Sequence, residues 1–414
     1  MGKASRHTQR PAFGVLAALL VAVLWALPGA AQPVESFAAF KDRFEAVAVA
    51  AGIDRALYRS VMGPVAEDPS IARYIGGQPE FVTPIWEYID QRVSAGRIER
   101  GRVAMAANVG LFEAVGSAYG VDPYILGAIW GMESDYGAIL GNTGLIKPII
   151  PSLANLAHQR RGRVAEDEAE LIAALRIVQS QGIASDSLVG SWAGAVGHLQ
   201  LIPTAYLSYG QDGDGDGRVD VHRSLADALA SSAMYLRGLG YRSGLDWGFE
   251  VRVPEGFDYL LADREVFRPI RFFAERGVTR VAGREFSDLD TEVFLYVPAG
   301  ASGPKFLMTR NYLVLKGYNF SDSYALSVAH LTDRLKGAGP FVASWPRGTA
   351  FPDRQERVEI QQWLAALGYY DGAVDGRIGP VTQAAYARFQ AERGLVADGF
   401  VTSESHALLA QVVR

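Results

Sequence analysis

The chain has no cysteine. That absence excludes a disulfide framework, a thiol nucleophile, a Cys-ligated zinc site and a lipid-modified N-terminal cysteine. Histidine is scarce and scattered, at His7, His158, His198, His222, His330 and His406. None of these pair at His-x3-His spacing, so the helical zinc-peptidase motif is missing as well. Neither sign of charge dominates: 40 basic residues against 45 acidic ones leave a formal charge of -5. Such a balance provides no basic face for a nucleic-acid partner. Long apolar runs are lacking except for Gly14 to Leu27, which is too short for a comfortable membrane span. Internal repeats and low-complexity tracts are absent.

The one apolar run belongs to a targeting segment. Lys3, Arg6 and Arg10 precede it, and the small residues of Pro28-Gly29-Ala30-Ala31 follow it. This order reads as a signal peptide over 1–31, cleaved after Ala31. It implies export across an inner membrane to the periplasm, with no stable membrane insertion once the segment is removed. The 414 residues suffice for two or three domains, and 49% apolar with 21% charged residues fits a soluble globular protein.

From Val34 to about Ala205 the pattern is helical. Phe37, Phe40, Phe44 and Val47 recur at helical spacing, as do Leu171, Ala174, Leu175 and Val178; Gly101 to Tyr119 behaves similarly. Gly120 and Gly182 read as helix stops. Past Gly248 come short runs, Phe249 to Val253, Val293 to Val297 and Tyr312 to Leu315, that read as strands of a small sheet. Helical pattern returns over Tyr324 to Leu335. Gly337 to Asp353 is rich in Gly and Pro and reads as a linker, tethering a compact unit over 354–414. The expected fold is therefore α+β and mainly α: a main domain over 32–336 with a small β subdomain, then a three-helix domain.

Ile129-Trp130-Gly131-Met132-Glu133-Ser134-Asp135-Tyr136-Gly137 closes an apolar helix that starts near Pro123. A carboxyl placed there loses water around its charged form, is inclined to stay protonated, and can donate a proton to a glycosidic oxygen. A solvent-facing Glu at a helix end is the plain alternative. Asp135, two residues on, lies on another helix face and does not suit a paired-carboxylate glycosidase. A second segment, Gly190 to Tyr206, holds three glycines within eight residues and sets polar Ser191 and Gln200 among apolar neighbours. Tight turns and buried polar groups awaiting partners follow from that composition. Its Gly-Ser-x-x-Gly order is not the Gly-x-Ser-x-Gly nucleophile elbow of serine hydrolases.

Together the Glu-Ser-x-Tyr-Gly block and the long Gly-Ser-x-Ala-Gly-Ala-x-Gly-x-x-Gln-x-x-Pro-x-x-Tyr block resemble the lytic murein transglycosylase B family, glycoside hydrolase family 103. The resemblance spans roughly Tyr88 to Leu335. It implies a lysozyme-like fold with Glu133 as catalytic acid/base, and Tyr88, Ser191, Gln200, Tyr235, Tyr318, Asn319 and Tyr324 as substrate-binding residues. It also implies non-hydrolytic cleavage of the MurNAc-GlcNAc β-1,4 bond of peptidoglycan, leaving 1,6-anhydroMurNAc ends without a catalytic cofactor. A hydrolytic muramidase and a catalytically silent wall-binding protein are the competing readings.

Asp212-Gly-Asp214-Gly-Asp216-Gly-Arg218 matches the start of an EF-hand loop, with oxygen ligands at positions 1, 3 and 5 and Gly at 6. Arg218 can offer its carbonyl at position 7. The usual final Glu is missing, since Arg223 stands at position 12. The resemblance implies a longer loop that closes on Asp227, and so a structural Ca2+ held by Asp212, Asp214, Asp216, Arg218 and Asp227. A solvated Asp/Gly turn is the alternative. At the far end, Asp375-Gly376-Arg377-Ile378-Gly379-Pro380 with Phe389-Gln390 and Asp398-Gly399 resembles the three-helix peptidoglycan-binding domain of the first type, with Phe389 and Leu395 expected in its core. The expected partner is the peptidoglycan glycan strand.

Overall fold

The computed structural model describes residues 35–73, 83–159 and 163–413. The signal peptide expected over 1–31 lies outside the described residues. The helical half is built as the apolar spacing requires. Phe37–Ala50 is a helix capped by the Ser36 hydroxyl, and it buries Phe37, Phe40, Phe44 and Ala48. Val164–Gln181 runs until Gly182, whose φ of 61° no β-carbon-bearing residue adopts cheaply. The expected helix over Gly101 to Tyr119 is two helices, Ala95–Ala107 and Val109–Tyr119, broken at Asn108.

The β subdomain is a five-stranded antiparallel sheet. Its strands are β3 (Gly248–Arg252), β4 (Arg268–Pro269), β5 (Thr279–Arg280), β6 (Glu292–Tyr296) and β7 (Lys305–Met308), in the order β4-β6-β7-β3-β5. The pair β1 (Lys147–Pro148) and β2 (Val189–Gly190) lies elsewhere, at the entrance to the glycine-rich segment. Phe249 lies opposite Leu307, and Phe294 opposite Met308. Val251, Phe273, Val293, Leu295 and Leu307 form the subdomain's own small core. The strand expected over Tyr312 to Leu315 is instead part of the helix Arg310–Asn319. A four-residue apolar run does not distinguish helix from strand by itself. Here the cap decides: the Thr309 hydroxyl accepts the Asn311 N–H, and the Asn311 amide donates to the carbonyls of Arg242 and Leu245.

The C-terminal unit comprises the helices Arg354–Ala366, Pro380–Glu392 and Ser403–Val413. Ile360, Leu364, Ala385, Tyr386, Phe389 and Leu409 make its core. Leu395 does not join them and is 44% exposed, because it follows the turn at Gly394 rather than continuing a helical stripe.

The stretch 337–353 is not a free tether. Phe341 stacks on His330 at 3.9 Å and meets Phe306 edge-on at 5.0 Å. Both carboxylate oxygens of buried Glu250 accept backbone N–H groups from it, those of Val342 and Ala343, each at 2.7 Å. Trp345 and Phe351 pack against Trp86, and Arg347 pairs with Asp90. Asp398 of the terminal unit accepts the Ala301 N–H at 2.8 Å. Aromatic anchors and satisfied buried polar groups thus seat the terminal unit on the β subdomain.

Candidate active site

Asp122 caps the helix Pro123–Ser134, its carboxylate accepting the Tyr124 N–H, and Pro123 takes the first helical position. Residues Ile125 to Met132 are all buried, so this helix runs through the core with apolar surface on every side. It ends abruptly. Asp135 and Tyr136 adopt left-handed φ of 50° and 60°, and their N–H groups close onto the carbonyls of Gly131 and Trp130. The stop is held by side chains. Arg97 and Arg100 bind the Asp135 carboxylate at 3.2 and 2.8 Å. Burial alone would raise this carboxyl, but the two guanidinium groups hold it below the usual range. The Tyr136 ring lies where β-carbons on Gly101 and Gly131 would stand, which is why both positions are glycine.

Glu133 emerges half-buried from the last turn of this helix. Its Oε1 accepts the hydroxyl of Tyr324 at 2.5 Å. Tyr324 sits in the first turn of the helix Asp322–Leu335, which is capped by Ser321. Burial, and then the nearby Glu133 charge, push its hydroxyl well above the ordinary value. It therefore stays a donor. The Tyr318 ring is stacked parallel on that of Tyr324, with centroids 6.4 Å apart, and Tyr235 lies against Tyr318 at 5.2 Å. The Tyr318 hydroxyl donates to the Leu199 carbonyl at 2.8 Å and shares a hydrogen bond with Ser232 at 3.1 Å. Tyr88, buried, belongs to the electrostatic surroundings of Tyr324. Asn319 ends the helix that carries Tyr318 and is half-buried.

The glycine-rich segment forms the opposite support. Ser191 N–H donates to the Ala195 carbonyl at 2.8 Å, and its Oγ accepts the Ala195 N–H at 3.2 Å. An accepting hydroxyl still has its own proton to give. Val196 and Leu201 exchange both backbone hydrogen bonds. Between them Gln200 is held at φ 50°, its amide donating to the Gly197 carbonyl. Two contacts link this loop to the Glu133 helix and its tyrosines. Leu199 receives Tyr318, as above. His198 Nδ1 accepts the Trp130 indole N–H at 3.1 Å, three residues before Glu133. Burial pushes His198 down to about 4, so the ring is neutral and able to accept.

Glu133, Tyr324, Tyr318 and Tyr235 are thus brought into one connected cluster, and Gln200 adjoins the residue that binds Tyr318. Sequence reasoning missed Ser232 and the Trp130–His198 bond. The signal for Ser232 was its position, a polar residue in the Ala-rich buried helix Leu225–Gly238. If Tyr324 supports Glu133, Tyr324→Phe should lower turnover about ten-fold. The sign of the pH effect is fixed. Removing a donor to the ionised carboxylate destabilises the charged form, so the pKa of the essential acid rises and the rate profile shifts to higher pH. An unshifted profile would show that the contact is only structural.

In the acidic loop, carboxylate oxygens of Asp212, Asp214 and Asp227 lie within 4.8 Å of one another. Asp216 stands outside this group, and its carboxylate accepts the Arg218 N–H at 2.8 Å. Asp212 is ringed by the N–H groups of Gly215, Asp216 and Gly217. Buried Asp227 accepts from Gly213 and Asp220 at 2.8 and 2.6 Å, which closes the loop onto the start of the Leu225 helix. Three convergent carboxylates on a backbone wrapped this way fit a hard, oxygen-seeking cation.

Comparison with known proteins agrees with this architecture. The transglycosylase SLT domain family matches residues 36–333, and a peptidoglycan binding domain family matches residues 353–409. SltB3 from Pseudomonas aeruginosa, solved in complex with NAG-anhNAM-pentapeptide, is 40% identical with a TM-score of 0.84 over 91% of this chain and 100% of that one. Membrane-bound lytic murein transglycosylase B of Escherichia coli strain K12 is 24% identical over 294 residues, 68% of this chain and 78% of that protein. Slt35 of Escherichia coli, solved in complex with calcium, shares the fold at 22% identity and a TM-score of 0.60, over 72% of this chain and 92% of that one. The chain belongs to the transglycosylase SLT domain family of lytic murein transglycosylases, with a peptidoglycan-binding domain at its C-terminal end.

Proposed function

We propose that Glu133 is the acid and then the base of a lytic transglycosylase reaction at the MurNAc-GlcNAc bond of peptidoglycan. The observation that supports this most is its hydrogen bond to Tyr324, next to an Asp135 already committed to two arginines. A single working carboxyl suits an intramolecular mechanism better than a paired-carboxylate one. Glu133 gives its proton to the departing glycosidic oxygen as the bond from C1 breaks. The 2-acetamido oxygen of the same MurNAc attacks C1, forming an oxazolinium-like intermediate that Ser191 helps orient. Ionised Glu133 then takes the proton of the C6 hydroxyl, whose oxygen closes onto C1 and displaces the acetamido oxygen. The proton lent in the first step is regained in the second, and no water is consumed. Tyr88, Gln200, Tyr235, Tyr318 and Asn319 line the sugar site. Tyr318, braced by Leu199 and Ser232, keeps the cleft wall in register with the acid.

Products decide between this and hydrolysis. Digests of purified sacculi in 18O-labelled water should contain 1,6-anhydroMurNAc ends with no label. Labelled reducing ends would identify a hydrolytic muramidase. The leader over 1–31 supports a periplasmic location, where this polymer lies, and the terminal domain supports attachment to it.

The acidic loop is assigned to a structural Ca2+ held by Asp212, Asp214 and Asp227, with Asp216 and the Arg218 carbonyl as the further oxygen ligands its sequence spacing offers. Bound calcium would supply charge neutralisation among the carboxylates and take no part in bond cleavage. A ligand at about a hundred times its dissociation constant stabilises the folded chain by about 2.7 kcal/mol. Calcium should therefore raise the melting temperature of the chelator-treated protein, and Asp212→Asn with Asp214→Asn should abolish that response. Identical melts in calcium and in chelator would exclude the site.

A further inference from the structure

Five described residues other than glycine have positive φ: Asp135, Tyr136, Gln200, Ala282 and Phe320. The first three lie beside the Glu133 cluster, two at the end of the Glu133 helix and one in the glycine-rich loop. Strained backbone gathers where function holds it in place. Ala282 and Phe320 remain; Ala282 lies in a short turn of the β subdomain, and Phe320 is the one next to the Glu133 cluster. It sits at φ 60° in the one-residue joint between the helix that carries Tyr318 and the Ser321 cap of the helix that carries Tyr324. Other helices of this chain end on glycine at that conformation, Gly120 at 64° and Gly182 at 61°. A bulky residue is unfavourable in the left-handed region, where glycine is free of the penalty.

A second cost falls on the same residue. The Phe320 side chain is 72% exposed, more than any other large hydrophobic residue described. Scattered exposed apolar residues need no explanation. An aromatic ring kept in water, on strained backbone, two residues from Tyr318 and four from Tyr324, is a different matter. Two residues of chain span at most about 7 Å, so the Phe320 backbone stands beside the aromatic cluster that holds Glu133. The cluster already runs from Tyr209 through Tyr235 and Tyr318 to Tyr324.

We propose that Phe320 is a sugar-binding platform at the rim of the cleft, its ring covering the apolar face of a hexose in the strand that flanks the scissile bond. The assignment rests on the glycan-cleaving reading of the site. A pyranose ring has one face of C–H groups, and an exposed aromatic of fixed orientation removes that face from water without demanding a particular hydroxyl pattern. The neighbouring tyrosines and Gln200 provide the directional hydrogen bonds. Phe320 would contribute to holding the polymer and not to the proton transfers.

The test measures steady-state kinetics on soluble uncrosslinked glycan strands for the wild type, Phe320→Ala, Phe320→Trp and Phe320→Gly. Alanine keeps the backbone penalty and removes only the ring. It should raise KM about ten-fold, as expected for losing part of an aromatic's burial. Its kcat should stay within about two-fold, the signature of uniform binding. Tryptophan should keep KM near the wild-type value. Glycine should share the high KM of alanine while melting at a higher temperature than alanine, because it relieves the left-handed strain. An unchanged KM in Phe320→Ala, or a Phe320→Trp as weak as alanine, overturns the platform while wild-type cleavage leaves the functional reading intact. A folded wild type that releases no fragments from the strands overturns both.

Discussion

Glu133→Gln should fold and bind as the native protein does yet release soluble fragments from sacculi at least about a thousand-fold more slowly, at the upper end of what one acid/base group contributes. The size follows from the double duty proposed for it, in which the same carboxyl gives a proton in the first step and takes one in the second. Glutamine is nearly isosteric, and its carbonyl oxygen can still accept the Tyr324 hydroxyl that Oε1 accepts at 2.5 Å. The packing around the helix end is carried by Tyr136, Gly101, Gly131 and the Asp135–arginine pairs, none of which the change touches. The melting temperature should consequently stay within a few degrees. Glu133→Asp keeps the proton but withdraws it by one methylene, so it should recover part of the rate. A pure, folded Glu133→Gln with more than about one-hundredth of native turnover would remove Glu133 from the mechanism.

Why Glu133 stands out as a candidate in the sequence, while its hydrogen-bond partner does not, has a physical basis. A lone carboxylate in an apolar helical run is a local feature, visible within a dozen residues. The same holds for the glycines around Ser191 and for the Asp/Gly spacing of the acidic loop. The contact that sets Glu133 in place joins residues 191 positions apart. No periodicity reports such a pairing; only the family resemblance placed Tyr318 and Tyr324 beside the acid. Ser232 was hidden because a serine in a buried helix reads as a local back-bonded residue until its partner is known. The stretch 337–353 misled for the opposite reason. Its glycines and prolines punctuate local structure, while Phe341, Trp345 and Phe351, the residues that seat it on the body, have partners far away in the sequence. Tyr312 to Leu315 has strand composition, and its helical state depends on a cap at Thr309 locked by Asn311.

Gly197→Ala should be strongly damaging, for a reason that separates sterics from backbone preference. Gly197 has φ 79°, and a β-carbon there would lie 2.0 Å from the Val221 carbonyl oxygen and 2.5 Å from its carbon. These are backbone atoms and cannot rotate aside. The same carbonyl accepts the His198 N–H at 3.0 Å, so relief of the clash must spread the loop from the segment that follows the acidic turn. That motion pulls on His198, bonded to Trp130 of the Glu133 helix, and on Gln200, whose amide is tied to the Gly197 carbonyl. Gly182→Ala is the matched control. Its φ is 61°, and nothing lies within 4 Å of the added carbon. The control should lose only the left-handed penalty, about 1 kcal/mol. Gly197→Ala adds overpacking of about 1–3 kcal/mol to that, and should melt well below the control. Because the displaced loop carries residues proposed for the sugar site, its kcat/KM at a temperature where it remains folded should fall about a hundred-fold, as small misplacements of a site do. Gly182→Ala should retain native activity. Equal melts for the two variants would mean that the loop yields without strain. A folded Gly197→Ala with native kcat/KM would mean that the register of Ser191, His198 and Gln200 does not matter to the chemistry at Glu133.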